Sequence, residues 1–153
     1  MAIGFFDGAS QGGGTRCGVG AILIAPRLGR YNIKWNCGSG TNTRAELLAL
    51  WSILHLARTL GIDTIQLAGD SRIIVEWFQN IIHLEVIHLS NWMDRILQLR
   101  RLFQEIHIQH IYREVNSDAD RLSKQAILGP IGHFLVARGD GMDPSTYSFF
   151  GSY

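Results

Sequence analysis

Four acidic residues lie at the ends or starts of predicted structural elements, far apart along the chain: Asp7, Glu46, Asp70 and Asp120. Carboxylates spaced in this way can act together only if the fold gathers them at one place. Once gathered, they form an oxygen-rich, negatively charged pocket of the kind that hard cations such as Mg²⁺ prefer. Two such ions side by side hydrolyse phosphodiester bonds. The four residues therefore predict a metal-dependent nuclease site.

The composition indicates one folded domain, or one domain with a tail, that has no strong overall electrostatic field. The chain has 153 residues, of which 46% are hydrophobic and 18% are charged, so there is enough apolar material for a packed core. Its formal net charge is only +1, so the molecule as a whole does not attract polyanions. Binding to nucleic acid must therefore depend on a local charged patch or on a further segment attached to the chain.

Cysteine content and hydropathy indicate an intracellular protein, in the nucleus or the cytoplasm. Cys17 and Cys37 are too few for a disulfide framework and lack metal-site spacing. We expect reduced thiols, although one bridge between them stays open. No apolar run reaches the roughly 18 residues that a membrane span needs, and no signal-peptide pattern is present, so we expect no membrane partner. Because Asp7 lies so close to Met1, we expect a domain cut from a longer chain.

The spacing of apolar residues predicts nine elements in the order β-β-β-α-β-α-α-β-α. The predicted strands cover residues 3–7, 17–25, 31–35, 64–68 and 106–112, and the predicted helices cover about 43–60, 72–79, 91–103 and 117–127. Short glycine-rich and proline-containing loops join the first three strands. Helices separate the later strands, which is typical of parallel crossovers.

This order predicts an α/β fold with a mixed five-stranded sheet flanked by helices. Strands one to three pair antiparallel, and strands four and five add in parallel. We place the domain at residues 1–128. Residues 129–153 turn to Gly, Pro, Ser and aromatic residues, and we expect this tail to be loosely packed or partly ordered.

Each acidic residue also has a purely structural interpretation. Asp7 and Asp70 are typical turn aspartates. Residues 43–46, Thr-Arg-Ala-Glu, match a helix capping box. Asp118 and Asp120 both favour the dipole at a helix start. They are about 200° apart on helical geometry, so only one of them can face a site.

Four sequence blocks together favour the functional interpretation. They are Phe-Asp-Gly-Ala-Ser at 6–10, Thr-Asn-Thr-Arg-Ala-Glu-Leu at 41–47, Gly-Asp-Ser at 69–71 and Arg-Glu-x-Asn-x-x-Ala-Asp-x-Leu at 113–122. In this order they resemble the signature blocks of type 1 ribonuclease H (RNase HI), and the resemblance spans residues 3–127. The fourth block is similar to the archaeal and plant branch. That branch includes the domains that follow reverse transcriptase in plant non-LTR (LINE) retrotransposons.

The resemblance implies an RNase H-like fold and a two-metal-ion endoribonuclease that cleaves the RNA strand of RNA·DNA hybrids and leaves 5′-phosphate ends. It implies two Mg²⁺ ions, with Mn²⁺ as a possible substitute, ligated by Asp7, Glu46, Asp70 and Asp120. The Asn-x-x-x-Asp spacing selects Asp120 over Asp118. The implied partners are the hybrid and a covalently linked reverse transcriptase domain of a polyprotein, and we expect the isolated domain to be monomeric.

The resemblance also locates the groups that read the substrate. These contacts recognise the 2′-hydroxyl, which separates RNA from DNA. They fall on Gly8, Ser10, Gln11, Asn42, Thr43 and Ser71. Thr43 stands where the bacterial branch often has Asn, and its hydroxyl can still form a hydrogen bond.

Two features depart from the bacterial branch of this family. That branch has a loop His before the last helix, but this chain has no His between Tyr112 and Asp120. Arg113 is the candidate replacement in the catalytic set, and the alternative is a surface ion pair with Glu114. Residues 80–90 also lack the Lys and Arg with which some relatives hold the hybrid. We therefore expect weak, salt-sensitive binding by the isolated domain.

Two other functions stay open on the sequence alone. A catalytically weak or inactive domain of the same fold would serve as a spacer or binding module, although all four carboxylates are present. Another nuclease of the same superfold would act on DNA, but the first two sequence blocks argue against that.

Overall fold

The computed structural model describes residues 1–139 and 143–153. Within these residues seven strands form one sheet: β1 (Ala2–Gln11), β2 (Arg16–Ala25), β3 (Gly29–Gly38), β4 (Thr64–Gly69), β5 (Glu105–His110), β6 (His133–Arg138) and β7 (Ser148–Ser152). The α-helices are α1 (Asn42–Thr59), α2 (Arg72–Phe78), α3 (Ser90–Arg100) and α4 (Ser117–Ala126). A 3₁₀ turn at Arg113–Asn116 leads into α4.

The sheet is mixed, and its order is β5-β4-β1-β2-β3-β6-β7. Strands β1, β2 and β3 pair antiparallel, as their short connections predicted. Strand β4 pairs parallel to β1, and β5 pairs parallel to β4, each after a helical crossover. The predicted α/β class and the mixed pairing are therefore confirmed.

The strand count is seven in the described part of the chain, which corrects the predicted five. The two additional strands lie in the segment that we expected to be a loosely packed tail. Strand β6 pairs antiparallel with β3, and β7 pairs with β6. Phe134 is fully buried, with its ring centroid 5.6 Å from that of Trp35. The aromatic residues of this segment are thus a packing surface, and the expectation of loose packing is wrong for 133–138 and 148–152; residues 140–142 lie outside the described range.

Helix α1 is the centre of the core, because it is buried along most of its circumference. Twelve of its residues are buried, from Ala45 to Ala57. It packs between the sheet and α3, and the ring of Trp51 lies 5.5 Å from Trp35 and 5.2 Å from Trp92. In the described residues no helix has both the length and the apolar character that a membrane crossing requires.

Glycines on β2 allow α4 to lie directly on the sheet. A Cβ atom built at Gly20 would overlap the carbonyl oxygen of Ala119 and the backbone nitrogen of Ser123. One built at Gly18 would overlap the carbonyl oxygen of Ser123. Because the obstructing atoms are backbone atoms of a helix, rotation of a side chain cannot relieve the overlap. The absence of a Cβ at these positions therefore sets how closely α4 approaches the sheet.

A glycine also permits close packing where β1 meets the start of α1. A Cβ atom at Gly8 would overlap the backbone of Ala45 and Glu46. The strand and the first turns of the helix therefore pack backbone against backbone. This contact places the residue before Gly8 beside the residue after Ala45, which are Asp7 and Glu46.

Substitution of Gly20 tests the close approach of α4. Gly20→Ala should lower the free energy of unfolding by about 1–3 kcal/mol, because the helix must move away from the sheet. Gly129→Ala is the matched control, since a Cβ there meets only the Ala126 carbonyl, at 3.5 Å. Urea unfolding followed by circular dichroism measures both. Equal stability of Gly20→Ala and the wild type would contradict the packing described.

Candidate active site

Asp7 and Asp70 meet because their strands are parallel neighbours. Phe6 of β1 pairs with Gly69 of β4, so Asp7 lies beside Asp70, which follows the end of β4. Strand β1 itself continues to Gln11, so the prediction that it ends at Asp7 is wrong. The carboxyl ends of parallel strands are where α/β sheets place their ligands. Asp7 is 4% exposed, and Asp70 is half-buried. Two carboxylates 63 positions apart in sequence are thereby brought together.

Glu46 enters the site from the second turn of α1. The predicted capping box at residues 43–46 is wrong, because the helix begins two residues earlier than that motif requires. Thr41 is the N-cap, and its hydroxyl accepts a hydrogen bond from the backbone N–H of Arg44 over 3.2 Å. Glu46 is therefore free of a capping role, and it faces Asp7.

Asp7, Glu46 and Asp70 form a compact cluster with the geometry of a cation site. Each offers one carboxylate oxygen, and the three oxygens lie within 4.8 Å of one another. Oε2 of Glu46 is buried and accepts no hydrogen bond from any described residue. Such a buried acceptor is costly unless it gains a partner. A divalent cation supplies that partner and offsets the repulsion among the carboxylates, so the residues present fit a hard metal ion.

The protonation of the cluster reflects this crowding. The pKa of Asp7 is raised to about 6, mainly by burial; a hydrogen bond from Glu46 opposes the rise, whereas the charges of Asp70 and Asp120 add to it. Burial also raises the pKa of Glu46 well above its ordinary value, and hydrogen bonding to Asp7 adds to the rise. Burial and the neighbouring carboxylates thus favour the protonated form of Glu46 when no cation is bound.

Asp120 completes the set from α4. It faces the same pocket as the cluster, whereas Asp118 points away and lies 3.9 Å from both Arg30 and Arg121. The structure thus separates the two aspartates as helical geometry requires. Asp120 has a partner of its own, because Lys124 Nζ lies 2.9 Å from its Oδ2.

The pocket is a cavity of about 430 Å³. Its lining includes all eleven residues predicted for the site: Asp7, Gly8, Ser10, Gln11, Asn42, Thr43, Glu46, Asp70, Ser71, Arg113 and Asp120. Ala9 and Lys124 also line it. The fold therefore brings the whole predicted set to one place, and the roles assigned to its members remain predictions.

The two loops at the pocket mouth are tied together at Gly40. Ser10 Oγ donates to the Gly40 carbonyl over 2.8 Å, and Cys17 Sγ donates to the same carbonyl over 2.9 Å. The Gly40 N–H in turn donates to the Gly14 carbonyl over 2.8 Å. The end of β1 and the start of α1 are thus joined directly beneath Asn42.

Asn116 supports the site, although its place in the fourth sequence block did not predict this role. It is 2% exposed, and its Nδ2 donates to the Phe6 carbonyl over 3.0 Å and to Asp70 Oδ2 over 3.3 Å. It therefore links α4 to β1 and orients Asp70. The sequence could not indicate this role, because Asn116 and Asp70 are 46 positions apart and leave no local pattern.

Arg113 is exposed, and it lines the pocket. In the described part of the chain no ion pair joins it to Glu114, and its place in the catalytic set stays a prediction. His110 belongs to β5 as predicted, and its Nε2 lies 3.2 Å from the carbonyl oxygen of Asp70. Arg113 is therefore available to a ligand in the cavity.

Comparison with known proteins gives matches over most of the chain. The sequence profile of the family described as reverse transcriptase-like matches residues 5–126. Ribonuclease HI of Halobacterium salinarum is 31% identical over 124 residues, which are 80% of this chain and 62% of that protein. The alignment thus spans less than two thirds of that relative's length.

Solved structures share the fold. RNase H1 from Halobacterium salinarum NRC-1 superposes with a TM-score of 0.76 at 30% identity, over 82% of this chain and 96% of that one. The N-terminal RNase H domain of a Mycobacterium tuberculosis protein, solved as a fusion with maltose binding protein, gives 0.75 at 26% identity, over 82% and 98%.

The raised pKa of Asp7 predicts how stability varies with pH when a chelator removes divalent cations. Between pH 3.8 and about 6 the folded state keeps a proton that the unfolded chain has lost, so the free energy of unfolding falls as pH rises. Asp7→Asn should remove this slope and raise stability at pH 7.5 by about 1–3 kcal/mol. Urea unfolding in chelator measures it, with exposed Asp118→Asn as the control. A less stable Asp7→Asn would contradict the electrostatic account.

Proposed function

We propose, because the chain belongs to the reverse transcriptase-like family and has the fold of type 1 ribonuclease H, that it is a metal-dependent endonuclease for the RNA strand of RNA·DNA hybrids. The observation that carries the proposal is the cluster of Asp7, Glu46 and Asp70, with oxygens within 4.8 Å of one another. Asp120 adds a fourth carboxylate to the same cavity. Relatives named ribonuclease HI and RNase H1 support the same reaction class.

The carboxylates are the residues that would hold two Mg²⁺ ions, or Mn²⁺ in their place. When bound, the ions activate water for attack on phosphorus and stabilise the leaving 3′-oxygen, which leaves a 5′-phosphate product. The formal charge of four carboxylates, −4, matches the +4 of two divalent cations. A bound cation would lower the pKa of Glu46 again, because its rise comes from burial and from neighbouring carboxylates.

Arg113 binds and orients a phosphate at the mouth of the cavity. A guanidinium is planar, always charged and suited to phosphate oxygens. It cannot transfer a proton near neutral pH. We therefore assign it a binding role in a catalytic site that lacks the loop His of the bacterial branch.

The residues around Gly40 read the substrate. Gly8, Ser10 and Gln11 of β1 line the cavity together with Asn42 and Thr43 of α1, and Ser71 lines it beside Asp70. RNA presents its 2′-hydroxyls across a wide, shallow minor groove. A row of backbone and hydroxyl groups at the cavity edge is suited to contact them.

The chain's wider setting is also a proposal. The family description and the archaeal-type fourth block support an RNase H domain of a reverse transcriptase polyprotein encoded by a retrotransposon, acting in the nucleus or cytoplasm. A net charge of only +1 supports weak hybrid binding by the isolated, monomeric domain. Tethering to a polymerase domain would raise the local substrate concentration.

The direct test is cleavage of a labelled RNA·DNA hybrid in Mg²⁺ beside single-stranded RNA, double-stranded RNA and double-stranded DNA. We expect internal cuts in the hybrid RNA alone, lost with chelator. Asp70→Asn should reduce cleavage by roughly a thousandfold or more. Asp118→Asn, whose side chain faces away from the cavity, should cleave like the wild type.

The outcomes separate the alternatives. Cleavage of double-stranded DNA would favour another nuclease of this superfold. No cleavage of any substrate, even at low salt with Mn²⁺, would favour a spacer or binding domain. Equal cleavage by Asp70→Asn and the wild type would refute the carboxylate site.

The role of Arg113 has a separate kinetic test. Arg113→Gln should raise KM roughly tenfold, because a charge-assisted hydrogen bond to phosphate is lost. The pH dependence of kcat should stay unchanged, since the guanidinium transfers no proton. Arg72→Gln, on an exposed ion pair with Glu76, controls for loss of a charge. A shifted pH profile in Arg113→Gln would contradict the binding role.

A further inference from the structure

Lys124 brings a positively charged side chain into the proposed active site. Its ammonium lies 2.9 Å from Asp120 Oδ2, and it lines the same cavity as the carboxylate cluster. Of the 14 basic residues of the chain, only Lys34 and Lys124 are lysines. A lysine presents a compact point charge on a flexible stem, whereas an arginine forms a fixed fork. Lys124 is therefore suited to exchange with another point charge.

The four carboxylates are not equivalent. The oxygens of Asp7, Glu46 and Asp70 all lie within 4.8 Å of one another, whereas Asp120 is not part of this group and interacts with Asp7. Asp120 is also engaged by Lys124. The site thus contains three closely grouped carboxylates and a fourth, Asp120, that forms an ion pair with a lysine.

Helix α4 offers an internal comparison. Asp118 and Arg121 form a second pair on this helix, but at 3.9 Å, with side chains 57% and 50% exposed, and away from the cavity. That pair is an ordinary solvent-facing contact. The pair of Lys124 and Asp120 is shorter, and its carboxylate is only 29% exposed. Because the Lys124 side chain is 59% exposed, its ammonium can leave without crossing a packed layer.

We propose that Lys124 is an exchangeable counter-ion of Asp120, a positioning residue that holds this carboxylate until a divalent cation displaces it. The proposal rests on the proposed function, since it assigns Asp120 to the cations that the reaction uses. Like charges repel, so the ammonium lowers the affinity of the site for cations. In return, it holds Asp120 at the cavity when no cation is present.

Affinity for Mg²⁺ alone, without substrate, tests the competition. Isothermal titration calorimetry of the full chain should show Lys124→Met binding Mg²⁺ roughly three- to tenfold more tightly than the wild type, because a competing charge is removed. Lys124→Arg keeps the charge and should stay within about twofold of the wild type. Arg121→Met removes one positive charge from the same helix outside the cavity, and should also stay within about twofold.

Nuclear magnetic resonance gives a direct readout of the ammonium. Protein labelled with ¹³C-lysine should show one ε-carbon signal for each of Lys34 and Lys124, assigned with Lys124→Arg. Titration with Mg²⁺ should move the Lys124 signal with the calorimetric midpoint. The Lys34 signal should stay, because its ammonium lies 3.9 Å over the Tyr147 ring.

The two hypotheses fail separately. Mg²⁺ binding with equal affinity in wild type and Lys124→Met, together with an unmoved Lys124 signal, overturns the counter-ion role and leaves the proposed function in place. Absence of Mg²⁺ binding to every variant overturns the proposed function and the counter-ion role with it.

Discussion

The active-site geometry depends on backbone-to-backbone contact between the sheet and two helices. At Gly8, Gly18 and Gly20 no Cβ separates the layers, so α1 and α4 lie closer to the sheet than side chains would allow. Carboxylates are short side chains. They can meet from a strand and a helix only if the main chains that carry them are themselves close. The glycines, which carry no chemistry, therefore determine whether the acidic residues form one site.

This concentration of charge is unfavourable to folding, and the rest of the molecule must compensate for it. Burial and mutual repulsion raise the pKa of Asp7 and of Glu46. This cost is offset by a hydrophobic core centred on α1. There the ring centroids of Trp35, Trp51 and Phe134 lie within 6.2 Å of one another. The segment after α4, which adds Phe134, thus belongs to the structural support of the site. Local strain of this kind is typical of functional sites.

Whether the sequence could predict a feature depended largely on how far apart along the chain the interacting residues lie. Period and turn residues are local, so they indicated the element order through α4 and the parallel placement of Asp7 and Asp70. Strands β6 and β7 could not be recognised in this way, because their partners are β3 and each other. The orientation of Asp70 by Asn116 was missed because the two residues are 46 positions apart. The cap at Thr41 is a local contact, and it was missed because Thr43 and Glu46 match a competing capping motif. Lys124 did carry a local signal, its spacing of four residues from Asp120 on one helix.

The hydrogen bonds that converge on Gly40 have a mechanical meaning. Ser10, Cys17 and Gly14 all bond to this one residue, so the strand end and the helix start cannot change their separation independently. The end of β1 and the start of α1, which both line the cavity, therefore keep a fixed separation. Under the proposed function, a hybrid duplex whose groove fits this separation would lose little conformational entropy on binding. A duplex of different groove width would have to deform or lose contact with one of the two, so discrimination by shape can precede any individual hydrogen bond to a hydroxyl.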